Sequence, residues 1–302
     1  MARSDLPPLP LSEWAGTYAT LHMWTQVVGK IRLALAPPVN HWWHVTFLTT
    51  ARGLTTTSMP YQQGTLEIVF DFIDHRLLFE TSDGRRRTIV LEPKSVADFY
   101  REVMQTLGEL DISVRIWPMP VEVPAPIRFD RDVEHHSYDR AAVERWWQAL
   151  LYIDAIFKEF RGLFLGKSSP AHFFWGGFDL AVTRFNGRRA PERPGADAMT
   201  REAYSHEVTS AGFWPGGGLP GGAVMREAVL YAYAAPEPPG YKTAHVGPRT
   251  AFYSADFNEF FLKYEDLRIA PSPHDALMEF LQSTYEAGAT LGGWNRGELE
   301  RK

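Results

Sequence analysis

The spacing of apolar positions changes period several times along the chain, and each change marks an element. From Ser12 to about Leu35, the residues Leu21, Trp24, Val28, Ile31 and Leu35 recur at helical spacing. Ser12 reads as the N-cap, Glu13 suits the first turn, and Pro37-Pro38 stops the helix. His22, Gln26 and Lys30 stand one helical turn apart as a polar ladder on one face. The simplest reading of the ladder is a solvated stripe. The alternative is the polar wall of a cleft, since the rest of the helix is too apolar to lie free on a surface. Strand-like segments follow at 42–50, 65–72, 76–80 and 87–91, and the joints at Asp74-His75 and Ser82-Asp83-Gly84 make them an antiparallel meander.

Ser95 and Asp98 then open a helix in capping-box fashion that ends near Gly108, and a strand is predicted over 112–116. Prolines at 118, 120, 124 and 126 force an extended segment with few ladder bonds. Asp139 caps a long helix through Trp146, Leu150, Ile153 and Phe157, ending by Gly162. Beyond it lie aromatic, β-branched segments at 172–185 and 202–214, a flexible glycine-rich loop or lid at 216–222, and strands over 228–234 and 252–264. Ser272-Pro273 opens a last helix that Gly288 or Gly292 would end. Runs of strands flanked by helices, without βαβ alternation, predict an α+β fold of antiparallel sheets. The chain divides into a half at 12–116, a Pro-rich crossing linker at 117–137 and a half at 138–294. The closing helices align Ser95 with Ser272, Asp98 with Asp275, Glu102 with Glu279 and Gln105 with Gln282. That alignment suggests duplicated helix–meander–helix halves.

Composition narrows the function classes. The 302 residues carry a formal net charge of −5, which argues against a nucleic-acid or membrane-surface partner. There are no cysteines, so disulfides, thiolate metal sites and a Cys nucleophile are excluded, in keeping with a reducing cytoplasm. The first residues lack an apolar signal region, and no apolar run is long enough to span a bilayer. A cytoplasmic protein is expected.

Several motifs resemble chemistry and fail on context. Gly216–Gly221 fits G-x-G-x-x-G, but Pro220 interrupts it and a strand follows where a dinucleotide site needs a helix. Gly162–Ser168 is one residue short of a P-loop and follows a helix. Lys167 and Ser168 still suit an anion, because they lie in a turn with exposed amides. His41 and His44 would point to opposite faces of a strand, and with His135-His136 they give no metal-ligand pattern. No metal and no cofactor are expected. Arg85-Arg86-Arg87 reads as a solvated hairpin tip.

The two central segments carry groups that a plain core strand avoids. Alternation puts Glu202, Tyr204, His206 and Ser210 on one face, and Ser205, Glu207, Thr209 and Phe213 on the other. Phe173, Trp175, Asp179 and Thr183 share a side with His172 and Arg184 opposite, unless a bulge at Gly176-Gly177 swaps them. A histidine with a tyrosine and carboxylates in reach can do general acid–base work near neutral pH. His206, Glu207, Asp179 and Tyr204 are therefore the catalytic candidates. Arg184, His172, Trp175, Glu202, Trp214, His22, Gln26 and Lys30 are the candidates for binding ligand. The competing reading is a buried network in which Arg184 neutralises Asp179 or Glu207 and only the fold benefits. The first functional expectation is an enzyme acting by cofactor-independent acid–base chemistry on a small polar or anionic metabolite, in a cleft between the halves. A non-catalytic binding or sensing protein and a structural or interaction protein are the alternatives.

The segments 21–30, 40–43, 172–184, 202–208 and 280–285 together resemble a bacterial family of about this length known only as a domain of unknown function. The resemblance implies a single unit from Trp14 to Trp294 and a Ser where this chain has Gly177. It supplies no activity, so no functional residue is carried over.

Overall fold

The computed structural model describes residues 6–62, 64–218 and 224–301. Within them the fold is α+β, with two antiparallel six-stranded sheets and helices packed on both. The first sheet comprises β1 (Leu48–Thr49), β2 (Gly53–Thr55), β3 (Met59–Tyr61), β4 (Gly64–Asp71), β5 (Arg76–Thr81) and β6 (Arg86–Val90). Its order is β1-β2-β4-β5-β6, with β3 also paired to β4. The second comprises β7 (His172–Phe174), β8 (Asp179–Arg189), β9 (His206–Trp214), β12 (Val229–Ala235), β13 (Phe252–Ser254) and β14 (Glu259–Lys263), in the order β13-β14-β12-β9-β8-β7. Between β9 and β12, β10 (Gly217–Gly218) and β11 (Val224–Met225) form a short ribbon; the central residues of the proposed lid lie outside the described residues. The two sheets meet where Phe47 and Phe173 exchange backbone hydrogen bonds of 2.8 and 2.9 Å.

Helix α1 (Leu11–Leu35) is buried continuously from Thr20 to Arg32. A helix enclosed on every side is a core element, and this one organises the molecule. Trp24 stacks on Phe99 of α2 (Val96–Glu109) at 4.6 Å between ring centroids. A Cβ on Gly29 would stand 2.3 Å from the Trp175 ring, so only glycine admits that indole. The helix starts at Leu11 with Pro10 in the cap position and no side-chain cap, two residues before the expected cap at Ser12. The ladder on it is not a solvated stripe. Gln26 donates to the Val121 carbonyl and accepts from the Val121 N–H, both at 2.8 Å, while His22 Nε2 meets the Gly176 carbonyl at 2.8 Å. Lys30 lies over the rings of Trp117 and Trp175. The ladder therefore fastens the Pro-rich crossing segment to the Trp175 turn.

Helix α3 (Arg140–Gly162) begins as the sequence predicts, with Asp139 accepting from the amides of Ala141 and Ala142. The remaining helices are α4 (Ala198–Ala203), α5 (Tyr264–Arg268), α6 (Pro273–Leu291) and α7 (Arg296–Leu299). Ser95 caps α2 and Ser272 caps α6 in the same way. The resemblance stops there, because α2 packs on α1 while α6 lies across β9 and β12. Shared capping chemistry accounts for the aligned Ser95-Asp98 and Ser272-Asp275 pairs, and duplication of the halves is not confirmed. One core cluster runs from Leu6 to Trp294 through both sheets. No helix among the described residues is long and apolar enough to cross a membrane.

Three local expectations are corrected. Residues 40–45 form a 3₁₀ turn with His41 and Trp42 in the left-handed region (φ 59° and 62°), where a strand was expected. Residues 112–116 make no strand, and β9 begins only at His206 because α4 occupies 198–203. Trp175 to Phe178 is a hairpin turn rather than a bulge. The resulting register pairs His172 with Ala181 and Phe174 with Asp179, so His172 shares a face with Asp179 and Thr183.

Candidate active site on the second sheet

The second sheet has two unlike faces. Leu180, Val182 and Arg184 of β8, with Thr209, Ala211 and Phe213 of β9 and Leu230 and Ala232 of β12, face α3 and α6. Alternation turns Asp179, Ala181 and Thr183, then Ser210, Gly212 and Trp214, then Tyr231 and Tyr233, and finally Glu259 to the opposite face. That face holds most of the uncommitted polar chemistry of the molecule.

Its centre depends on an absent side chain. Tyr231 on β12 donates its hydroxyl proton to Asp179 Oδ2 on β8, reaching over the intervening strand β9. The residue beneath its ring is Gly212, whose Cβ would lie 2.2 Å from Tyr231 Cζ. Glycine at this position opens the path across the strand. Glu122 enters from the Pro-rich crossing segment on a left-handed backbone (φ 57°). A Cβ on Gly176 would meet its Oε1 at 2.2 Å, and one on Gly177 would meet Asp179 Oδ1 at 2.8 Å and Glu122 Oε2 at 3.4 Å. The glycine pair in the turn thus leaves room for two carboxyl groups to converge. Tyr18 closes one side, its hydroxyl donating to the Gly216 carbonyl at 2.9 Å. Along the face, Thr183 Oγ1 and Ser210 Oγ are 2.9 Å apart, as are the hydroxyls of Tyr204 and Tyr233.

The electrostatics follow from burial without compensation. Burial, reinforced by the charge of Glu122, pushes the Asp179 carboxyl up to about 7, although the bond from Tyr231 pulls the other way. Burial and then the charge of Asp179 push Glu259 up to about 8. Burial raises Glu122 as well, and it holds the Tyr231 and Tyr233 phenols well above the usual tyrosine range. Among the described residues no lysine or arginine pairs with Asp179, Glu259 or Glu122. Asp179, Glu259, Tyr231 and Tyr233 nevertheless retain partial solvent exposure. Water therefore reaches this group, hereafter the recess, which is not sealed in the core. Two carboxyls that exchange protons near neutrality beside a phenol donor can protonate one atom of a ligand and deprotonate another.

The other predicted residues are dispersed. Trp214 stands on the same face as Asp179, next to Phe257. Arg184 is on the opposite face, fully buried, with its guanidinium 3.4 Å from the Phe160 ring centroid and 4.3 Å from that of Tyr285. It neutralises neither Asp179 nor Glu207. Glu207 instead accepts from Asn186 at 2.6 Å and from Arg188 at 2.6 Å, beside the C-terminus of α6. His172 is fully buried with Nδ1 on Thr46 Oγ1 at 3.0 Å, and burial lowers its pKa to about 3. Trp175 donates to the Val45 carbonyl at 2.6 Å. His22, Gln26 and Lys30 hold the crossing segment as described. Glu202 contributes its backbone carbonyl to His41 Nδ1 at 3.1 Å. His206 stacks edge-on to His41 at the far end of the face, its Nδ1 3.0 Å from Ser205 Oγ. Among the described residues no three His, Asp or Glu side chains are placed to hold a metal ion.

Sequence reasoning missed Tyr231, Tyr233, Glu259, Glu122 and Tyr18. The first two alternate within a predicted strand, and Glu259 interrupts an aromatic one, so strand parity contained a usable signal for these. Glu122 gave none, because its role comes from a chain crossing.

A match to a family signature spans residues 6–301. The chain belongs to DUF5996, a family of unknown function. No curated protein and no solved structure matches it. For this DUF5996 protein the recess is therefore read from its own chemistry.

Proposed function

We propose that the recess around Asp179 and Tyr231 is the active site of a cytoplasmic enzyme that uses cofactor-independent acid–base chemistry on a small polar metabolite. The observation that supports this most is the Asp179–Tyr231 pair. A carboxyl shifted toward neutrality accepts a hydrogen bond from a phenol, with Glu259 and Glu122 nearby and, among the described residues, no cation to fix any of them as a simple ion pair. Structural ion pairs in this chain look different: Arg52 lies 2.7 Å from Asp71, and Arg188 lies 2.6 Å from Glu207. Within the recess Asp179 would act as general base and Glu259 as the paired acid, while Tyr231 holds the Asp179 carboxyl in position. The part of the ligand bound here is neutral or cationic, since an anion would meet three carboxyls and, among the described residues, no paired cation.

The test is to incubate the purified protein with a mixed metabolite extract and follow depletion, product formation and retention by mass spectrometry, with Asp179→Asn alongside. The proposal expects a compound that the wild type converts and the folded Asn variant does not. Identical behaviour of the two proteins would overturn it. Retention without conversion by the wild type, weakened in the Asn variant, would assign the recess to binding alone.

A further inference from the structure

At the other end of the same sheet face lies a basic cluster that the recess does not use. Lys167 runs beside β8, its carbonyl accepting from the Phe185 N–H at 2.9 Å. Its Nζ is 2.8 Å from His41 Nε2 and lies over the rings of Phe185 and Trp43 at 5.3 and 5.4 Å. His41 Nδ1 faces the carbonyls of Glu202 and Ala203 at 3.1 and 3.3 Å, so Nδ1 carries the proton and donates. Nε2 is then an acceptor, and Lys167 donates to it. The imidazole is neutral and nine-tenths buried, and it fixes the ammonium in place without cancelling its charge. His206 is edge-on to His41 at 5.7 Å between ring centroids, and Arg189 pairs with His206 in the strand register.

Lys167 and His206 thus flank a fixed neutral imidazole, Arg189 stands opposite His206 in the strand register, and among the described residues none of the three basic side chains has a carboxylate partner. The local charges repel one another: the pKa of His206 is lowered by burial and by the charges of Arg189 and Lys167, and that of His41 by burial and by Lys167. A cation held on two aromatic faces by a neutral imidazole keeps free donor capacity that an oxygen anion can fill.

We propose that Lys167, His206 and Arg189, with His41 as the positioning residue, form a site for an oxyanion, the phosphate or carboxylate group of a small metabolite. Lys167 Nζ supplies the anchoring charge, and the His206 imidazole and the Arg189 guanidinium supply the flanking donors. Six residues of β8 separate Phe185 from Asp179, roughly 20 Å at strand rise. The oxyanion site is therefore separate from the acid–base recess and does not depend on it.

The experiment titrates the full-length protein with inorganic phosphate and, separately, with acetate at constant ionic strength. Imidazole ¹H–¹⁵N NMR follows His41 and His206, and thermal melts verify folding. The expected result is a saturable shift of the His206 resonances by at least one of the two anions, weakened about tenfold or more in Lys167→Gln, as expected for one charge-assisted contact. The anion that binds more tightly identifies the head group. Asp179→Asn should titrate like the wild type. Absence of a saturable shift with either anion, or equal affinity in folded Lys167→Gln, would overturn the assignment. Neither result bears on the recess.

Discussion

Replacing Asp179 by Asn should stabilise the protein, and more so as the pH rises. Asn keeps an oxygen for the Tyr231 hydroxyl but has no charge to strip of water. In the fold the Asp179 carboxyl holds its proton up to about 7, against an ordinary value of 3.8. The folded state therefore binds this proton more tightly than the unfolded chain does. Well below the unfolded value both states are protonated, and ionisation contributes nothing. Between the two values only the unfolded chain ionises, and each pH unit favours unfolding of the wild type by about 1.36 kcal/mol. Above the folded value both states ionise and the difference levels off. The separation of roughly three units corresponds to about 4 kcal/mol at full extent. Water reaching the partly exposed carboxyl screens some of this, so an advantage of about 2–4 kcal/mol for the Asn variant is expected at pH 8. Urea denaturation of both proteins at several pH values measures it directly, since titrations common to both cancel. An Asn variant that is no more stable than wild type at pH 8, or whose advantage does not grow with pH, would refute the claim that this carboxyl is desolvated without a counter-charge.

Other consequences are as specific. Gly212→Ala drives a methyl into the Tyr231 ring, and by displacing it should cost about 1–3 kcal/mol and remove the pairing with Asp179; thermal melts and loss of conversion report the two effects. Tyr231→Phe keeps the ring and removes only the proton donor, so the Asp179 carboxyl should titrate higher still, as carboxyl NMR would show. Gln26→Leu leaves the Val121 N–H and C=O without partners and should cost about 1–3 kcal/mol, with faster hydrogen exchange at Val121. Glu207→Gln removes a half-exposed ion pair with Arg188 and should change stability by less than about 1 kcal/mol, with no effect on conversion.

Much of this fold was legible because periodicity and capping are local. The α+β class, the start of α3 at Asp139, the Ser95 and Ser272 caps and the face alternation of β9 from His206 onward were all readable in the residues. Local reasoning failed where a tertiary contact decides the geometry. His41 and Trp42 lie in a sequence rich in strand formers, yet hydrogen bonds from His41 to the 202–203 carbonyls accompany a left-handed turn there. The turn at Gly176-Gly177 exchanged the faces of His172 and Phe173, moving His172 onto the side of Asp179. Asp179 was recognisable as a polar residue in an aromatic strand. Its pairing with Tyr231 and Glu122 was not, because Tyr231 reaches it only across Gly212 and Glu122 only through the crossing segment held by Gln26. A glycine that makes room for a neighbour's ring has no pattern of its own along the chain.

If Asp179 is an acid–base group and not a structural carboxylate, its own titration must show it. The most direct test is a ¹³C-carboxyl NMR titration of the folded protein, with Asp179→Asn used to assign the resonance. The Asp179 side chain should titrate with a midpoint near 7, and Glu259 should follow near 8. A midpoint for Asp179 at or below its ordinary value of 3.8 would contradict it.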